Sequence, residues 1–559
     1  MAAKDTLYYK TIQIILIILP FFYGMYYEFC GAVMTAVISG ILLIILLKNH
    51  KLQISLSVGF LLSMIFVCLY LFSILYAVDS GMAAYGVIKL LWIPLFLVLC
   101  SQLQKEKREK LFSIIPYIGT ALCLIGFAAY FLPWIKNYFY INGRLSSGFQ
   151  YANTFALYLL IGIIILFDKK ELVWRDYLSG AILLCGIALS GSRIVFVLTA
   201  FIVLYFIIRH RNKKLACGIF AFALLLIIYI YIKGDITNVG RITTFSLTDS
   251  TLLGRFLYAK DALGLLLKHP FGMGHFGYYY MENGIQSGVY SVQYVHNDWL
   301  QIGLDIGLFP MLLYFISIIY CLFSKELKHH EKIILSVIFL HGLLDFDSAY
   351  GAIQCIVFII MHNKTITWRD KQIEAICIKR NQWSLLFSAF FIIGCYFSVP
   401  LIARYQNHME IAVKWYPWDT EAKLKILSEL EDTEKADNLA DEILRQNDTC
   451  ALAYYAKAMV ADFSYDYENM IHYQKKSIER NYFNHEAYSN YTYMLYNGLC
   501  YAIDNDDEAV YTLCSEELLK LPSYMDDAKD RLSKLGKMIN DQPDLEPDED
   551  MIKIIDAIS

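Results

Sequence analysis

Long apolar runs separated by short basic connections fill the first 403 residues. Runs of bilayer-spanning length are predicted near 9–28, 30–47, 54–77, 82–100, 111–133, 151–167, 177–192, 194–208, 215–232, 299–323, 331–345, 349–362 and 384–403. The first run follows a weakly basic N-terminus, lacks a small-residue cleavage site and reads as a retained helix. After residue 403 the pattern changes to amphipathic helices. The expected fold is all-α: a polytopic membrane domain over 1–403, followed by a separate helical domain over 404–559.

Basic residues orient the spans. Lys48/Lys51, Lys105/Lys107/Arg108/Lys110, Lys169/Lys170/Arg175, Arg209/Arg211/Lys213/Lys214, Lys325/Lys328/Lys332 and Lys364/Arg369/Lys371/Lys379/Arg380 occupy alternate connections. Short basic loops stay cytoplasmic. The N-terminus is therefore expected inside, and an odd number of spans places 404–559 outside. Two long outer connections are expected, about 134–150 and 233–298.

Composition agrees and adds one point. The chain is 57% hydrophobic and 18% charged, against about 25% charged in ordinary soluble chains. This excludes a disordered protein and a plain cytosolic enzyme, and nothing suggests nucleic acid. The formal charge of −4 divides unevenly: +12 over residues 1–403 and −16 over 404–559. The thirteen cysteines form no disulfide framework, and no Cys/His metal spacing occurs, so neither a metal nor a cofactor is expected.

In the second domain Tyr454 and Tyr488 lie 34 residues apart, with small Ala458 and Ala461 and a turn before Asp466-Tyr467 between them. This resembles a tetratricopeptide repeat, departing from it at Ser477 and Tyr482, with two to three degenerate repeats expected. Such a domain offers a groove rather than catalysis. The acidic run Asp541 to Asp550 is expected to be solvated.

Candidate chemistry gathers on the outer side. His296, in Val295-His296-Asn297-Asp298, heads a span, where a neutral imidazole can take a proton from a hydroxyl. Asn297 and Asp298 are candidates to orient its ring. Arg193, in Ser190-Gly191-Ser192-Arg193, sits where the topology rule requires no cation, as do Arg144, Arg241 and Arg255. Guanidinium groups suit phosphate oxygens, so the cluster suggests an anionic ligand such as a diphosphate. Asn153, entering a span from outside, is a candidate sugar or phosphate contact. His341 is an intramembrane histidine near two carboxylates, a candidate contact or a structural polar group.

Ser190-Gly191-Ser192-Arg193, Gly254-Arg255 with Pro270-Phe271-Gly272-Met273-Gly274, and His296-Asn297 heading a span with Gly303 and Gly307, in that order, resemble the O-antigen ligase / O-antigen polymerase family of bacterial membrane glycosyltransferases. The resemblance covers roughly residues 140–360. It implies a GT-C-like architecture and an inverting, metal-independent transfer from a saccharide on polyprenyl (undecaprenyl) diphosphate at the outer face of the cytoplasmic membrane. His296 would activate the acceptor hydroxyl, while Arg193 and Arg255 would hold the diphosphate. Some members carry a second basic residue before the histidine. Here that residue is Val295, and Arg241 or Arg144 would substitute. The acceptor would be a glycan, lipid or protein, and the repeat domain would hold a chain-length regulator, another protein or the growing glycan. Two other classes compete: a lipid-linked glycan flippase, which needs charges through the midplane of several spans, and a membrane scaffold acting through its repeats, which leaves the arginines unexplained.

Overall fold

The computed structural model describes residues 2–169, 171–210, 249–368, 371–372 and 376–558, and these fold almost entirely into helices. Among them, Glu28–Asn49, Ser80–Cys100, Lys105–Ala129 and Trp383–Tyr405 are long and apolar enough to cross a membrane. Thr6–Phe21, Val58–Ser73, Ala152–Phe167, Leu308–Leu322 and Gly351–His362 are apolar but shorter. The chain is an all-α polytopic membrane protein. The expected span at 215–232 and Arg241 lie outside the described residues. An antiparallel ribbon pairs Lys51–Ile54 with Ile376–Lys379.

The helix Ala152–Phe167 is buried along its whole length, an apolar rod without a polar face. It packs on Ile115–Ala129, Trp174–Ser190, Arg193–His210 and His329–His341. A helix hydrophobic all round belongs at the centre of its neighbours, and this position buries the polar residues of its first turn, Asn153 and Thr154.

Two expected elements are corrected. The region expected as a long loop after residue 233 contains the helix Ser250–Lys268, capped by the Asp249 side chain accepting from Thr251 N–H. Its buried face is Leu253, Leu257, Leu265 and Leu266. The expected span 299–323 is also two helices, Asp298–Ile306 and Leu308–Leu322, parted at Gly307, whose φ is 104°. The Pro270–Gly274 segment fills the break. Met273 N–H donates to Leu304 O at 2.7 Å, Gly274 N–H to Asp305 O at 2.9 Å, and Leu308 N–H to Pro270 O at 2.9 Å. The carbonyls orphaned by the helix end thus find partners in the inserted backbone. A Cβ on Gly307 would come within 2.9 Å of the Pro270 and Phe271 backbone. Gly307→Ala is expected to cost about 1–3 kcal/mol through left-handed strain alone, seen as a lower thermal midpoint in detergent. An unchanged midpoint would show that the break tolerates a side chain.

Beyond Tyr405 the helices pack as antiparallel neighbours, notably Ala451–Phe463 with Tyr467–Arg480 and His485–Asn505 with Glu508–Asp530. The membrane body's apolar core continues into them through Tyr416, Leu427, Ile443 and Ala453, and a second core begins at Ala458. Polar clasps cover the junction. Arg404 reaches Glu28 at 3.3 Å and Asp419 at 3.2 Å. Asp79 accepts from Thr420 at 2.5 Å and from Gln446 at 2.9 Å. The acidic tail is not wholly solvated as expected: Leu545 and Met551 are buried in the second core, which anchors the residues around them.

Candidate functional site

The site is built where the first turn of the central helix Ala152–Phe167 meets the Gly191 turn and the helix Ser250–Lys268. Gly191, at φ 61°, ends the helix Trp174–Ser190, and Arg193 follows as the first residue of the next helix. The β-ribbon residue Arg144 comes from the opposite side. Together Arg144, Asn153, Ser192, Arg193, Asp249 and Arg255 line a cleft of about 500 Å³. Four residues singled out in the sequence therefore share one cavity.

Each arginine is held by neighbours. Arg144 Nε donates to Ser190 O at 2.6 Å and its Nη2 to Asn153 Oδ1 at 2.5 Å. Arg193 Nη1 donates to Asp249 Oδ2 at 2.7 Å. Burial raises the Asp249 carboxyl, but the hydrogen bonds from Arg193 and Thr251 outweigh it and hold the pKa below its ordinary value. Arg255 Nη2 donates to Asp345 Oδ2 at 3.2 Å, while its buried Nε has no hydrogen-bond partner among the described residues. A guanidinium offers five N–H donors in a planar fork, so Arg255 keeps a donor unused beside the cleft.

Asp345 organises this layer and was not singled out in the sequence as more than a neighbour of His341. Its fully buried carboxylate also accepts from Tyr151 OH at 2.8 Å and Asn153 Nδ2 at 2.8 Å. Asn153 therefore bridges Arg144 to Asp345. Tyr151, Asp249 and Asp345 escaped the sequence reading, because a lone carboxylate or tyrosine next to an apolar run carries no periodic cue.

His296 is not in the wall of the arginine cleft but adjoins it. Its ring lies 5.6 Å from that of Tyr258, one turn along the helix from Arg255, and meets Phe346 edge-on at 5.0 Å. Phe346 follows Asp345 directly and packs on Tyr151 at 4.8 Å. His296 Nδ1 is buried and has no hydrogen-bond partner among the described residues. The loop leading to it is pinned by Glu282, whose buried carboxylate accepts Val292 N–H at 3.0 Å, and by Val295 N–H donating to Gln301 Oε1 at 2.9 Å. Burial pushes the His296 pKa down to about 4, with the Asp345 charge opposing and the Arg255 charge assisting. The imidazole is neutral at ordinary pH.

Two expectations fail here, and His341 takes the structural one of its two expected roles. Asn297 does not orient the His296 ring: its Oδ1 caps the following helix by accepting Leu300 N–H at 3.0 Å, and its Nδ2 donates to Leu343 O at 2.9 Å. Asp298 is turned inward, accepting Ser348 N–H at 2.7 Å. His341 is wholly enclosed and pairs with Asp347 at 2.5 Å, so it does not reach the cleft. Backbone groups freed at a helix end or in the Gly342–Tyr350 turn claim Asn297 and Asp298, and His341 is held by the Asp347 carboxylate, because a buried polar group must be paired.

Charged side chains also gather apart from the arginine cleft. Glu28, Lys89, His275 and Asp305 form a buried cluster: Lys89 lies 3.6 Å and His275 3.3 Å from Glu28, and His275 lies 3.7 Å from Asp305. Tyr70 OH donates to Asp305 at 2.8 Å, and Lys89 donates to Tyr294 OH at 2.9 Å.

No curated protein matches the chain. Residues 178–315, which carry Arg193, Arg255 and His296, match the family model described as O-antigen ligase, and over that segment the chain is similar to that family.

Proposed function

We propose that this protein transfers or polymerises a glycan from a polyprenyl diphosphate-linked donor onto an acceptor hydroxyl, without a metal and with inversion, at the outer face of the bacterial cytoplasmic membrane. The observation that carries this reading is the gathering of Arg144, Arg193 and Arg255 around one cleft beside a neutral, half-buried histidine. The acceptor oxygen attacks the anomeric carbon as the bond from that carbon to the diphosphate oxygen breaks. The hydroxyl proton passes to His296, and the electron pair of the broken bond stays on the diphosphate. Fixed guanidinium groups in a poorly hydrated cleft stabilise the charge that accumulates there. Arg255, with its unused Nε donor, is the natural partner of a phosphate oxygen, and Arg193 and Arg144 complete the clamp. The alternate basic connections support a cytoplasmic N-terminus, with residues 404–559 on the side of the site as a tetratricopeptide-like domain.

The buried Glu28–Lys89–Asp305 cluster is the feature on which a flippase reading would draw. Its Glu28 is paired with Lys89 and Arg404, and the cluster is separate from the arginine cleft. Analysis of lipid-linked glycans in a deletion strain separates the readings. Single lipid-linked repeats accumulating outside indicate a polymerase, the form we favour, and long lipid-linked polymer indicates a ligase. Donor confined to the inner leaflet would overturn the assignment in favour of transport. Within the enzyme, Arg255→Lys keeps the charge but loses the fork. It is expected to slow turnover by at least tenfold, and unchanged turnover would remove Arg255 from the clamp.

A further inference from the structure

A second cavity adjoins the site from the side of the C-terminal helices. It holds about 390 Å³ and is bounded by the Tyr26–Phe29 turn, the end of the helix Arg380–Tyr405, the 276–293 segment and the helix Thr420–Leu427. That is the size of a small-ligand site, roughly 300–1,000 Å³. Its walls are mainly aromatic: Tyr26, Tyr27, Phe29, Phe276, Tyr279 and Tyr405. Polar groups alternate with the rings at Gln293, Glu421 and Lys425. Tyr27 stacks on Phe29 at 5.7 Å and meets Tyr405 edge-on at 4.9 Å. Tyr405 is 43% exposed.

The rings continue inward. Tyr26 packs on Tyr294 at 5.9 Å, Tyr294 stacks on Phe346 at 5.7 Å with planes 17° apart, and Phe346 meets His296 at 5.0 Å. Lys89 sits over both Tyr26 and Tyr294, at 5.0 and 5.1 Å from their centroids, and fixes their faces. An aromatic lane thus runs from the groove to the histidine.

We propose that this groove binds the acceptor as a saccharide chain and delivers its terminal hydroxyl to His296. The assignment rests on the transferase reading above. A sugar ring presents a patch of polarised C–H bonds on its face and hydroxyls at its edge. The first complements the electron-rich face of an aromatic ring, and the second needs the scattered donors and acceptors that Gln293, Glu421 and Lys425 supply. A hydrocarbon tail needs neither. It fits instead the entirely apolar cleft of about 560 Å³ between Val58–Ser73, Ser80–Cys100 and Arg380–Tyr405. The Glu28 and Arg404 charges at the groove floor are paired with each other, which leaves it without a dominant sign.

The test uses the full-length protein in lipid nanodiscs, with the producing strain's own lipid-linked repeat unit as donor. The acceptor probe is the oligosaccharide released by mild acid from that strain's surface polysaccharide. Tyr279→Ala combined with Tyr405→Ala is expected to raise the acceptor KM at least tenfold with kcat within about twofold. The double variant should also lose saturation-transfer NMR signals from the oligosaccharide, whereas Tyr405→Phe keeps both properties. Should the double variant not fold, Tyr279→Ala alone, whose ring touches only Phe276 and Tyr280 among the ring contacts, is expected to raise KM several-fold. An unchanged KM in the folded variant overturns the groove assignment. His296→Ala keeps the two readings apart: binding with lost transfer supports the frame on which the groove rests, and normal transfer overturns the underlying mechanism instead.

Discussion

His296→Ala is expected to lower glycan transfer by about 10²–10⁴-fold, the usual contribution of a positioned general base, with protein amount and membrane insertion unchanged. The side chain carries no fold-critical hydrogen bond through Nδ1, and its ring is bounded by Tyr258 and Phe346. Loss of the ring should therefore remove chemistry rather than structure. Normal polymer length and yield in this variant would sink the assignment. The pH profile gives an independent measure. The protonated imidazole cannot accept a proton, so activity is lost as pH falls through the folded-state pKa of about 4. The acid limb of kcat/KM, which reports the free enzyme, should lie near pH 4 rather than near the ordinary 6.5. Linkage runs in the same sense. The unfolded chain binds a proton between about pH 4 and 6.5 that the folded chain does not, so stability from this group rises with pH across that window. A limb near 6.5 would mean that His296 is solvated in the working enzyme.

The second large effect is structural. Asp345→Ala is expected to destabilise the protein by about 3–5 kcal/mol, the usual cost of leaving a buried charge without its partner. The carboxylate is fully buried and accepts from Tyr151, Asn153 and Arg255 together. Its removal strands the Arg255 guanidinium, whose side chain is only 10% exposed, and releases Asn153 from its bridge to Arg144. Asp345→Asn keeps the volume and one acceptor and should cost less, while still loosening the clamp. Thermal unfolding in detergent with a transfer assay on the same samples separates the two. An Asp345→Ala protein with an unchanged midpoint would show that Arg255 finds another partner.

The sequence made some of this legible and hid the rest for definable reasons. The arginines stood out because they lie where the topology rule asks for no cations, and three of them line one cleft. His296 stood out because a titratable ring heads an apolar run. The helix Ser250–Lys268 was readable from Leu253, Leu257, Leu265 and Leu266 at helical spacing, yet its four charged residues and the preceding polar stretch made the region look like a loop. Asp345 was hidden because its partners lie 90 and more residues away. The pairing of Glu28 with Lys89, His275 and Arg404 was hidden for the same reason. Asn297 and Asp298 misled because adjacency in sequence is a poor guide at a helix start, where the backbone claims short polar side chains first.

The break at Gly307 bears on how the chain enters the membrane. At 1.5 Å per residue the nine residues of Asp298–Ile306 extend only about 14 Å and the fifteen of Leu308–Leu322 about 23 Å, each short of a bilayer core of about 30 Å. Neither half qualifies for insertion alone, so the insertion machinery must accept 298–322 as one hydrophobic segment. The interruption then forms only when the Pro270–Gly274 backbone arrives to take up the freed carbonyls. The edge of the candidate site is thus a late product of biogenesis, completed inside the membrane after topology has been decided.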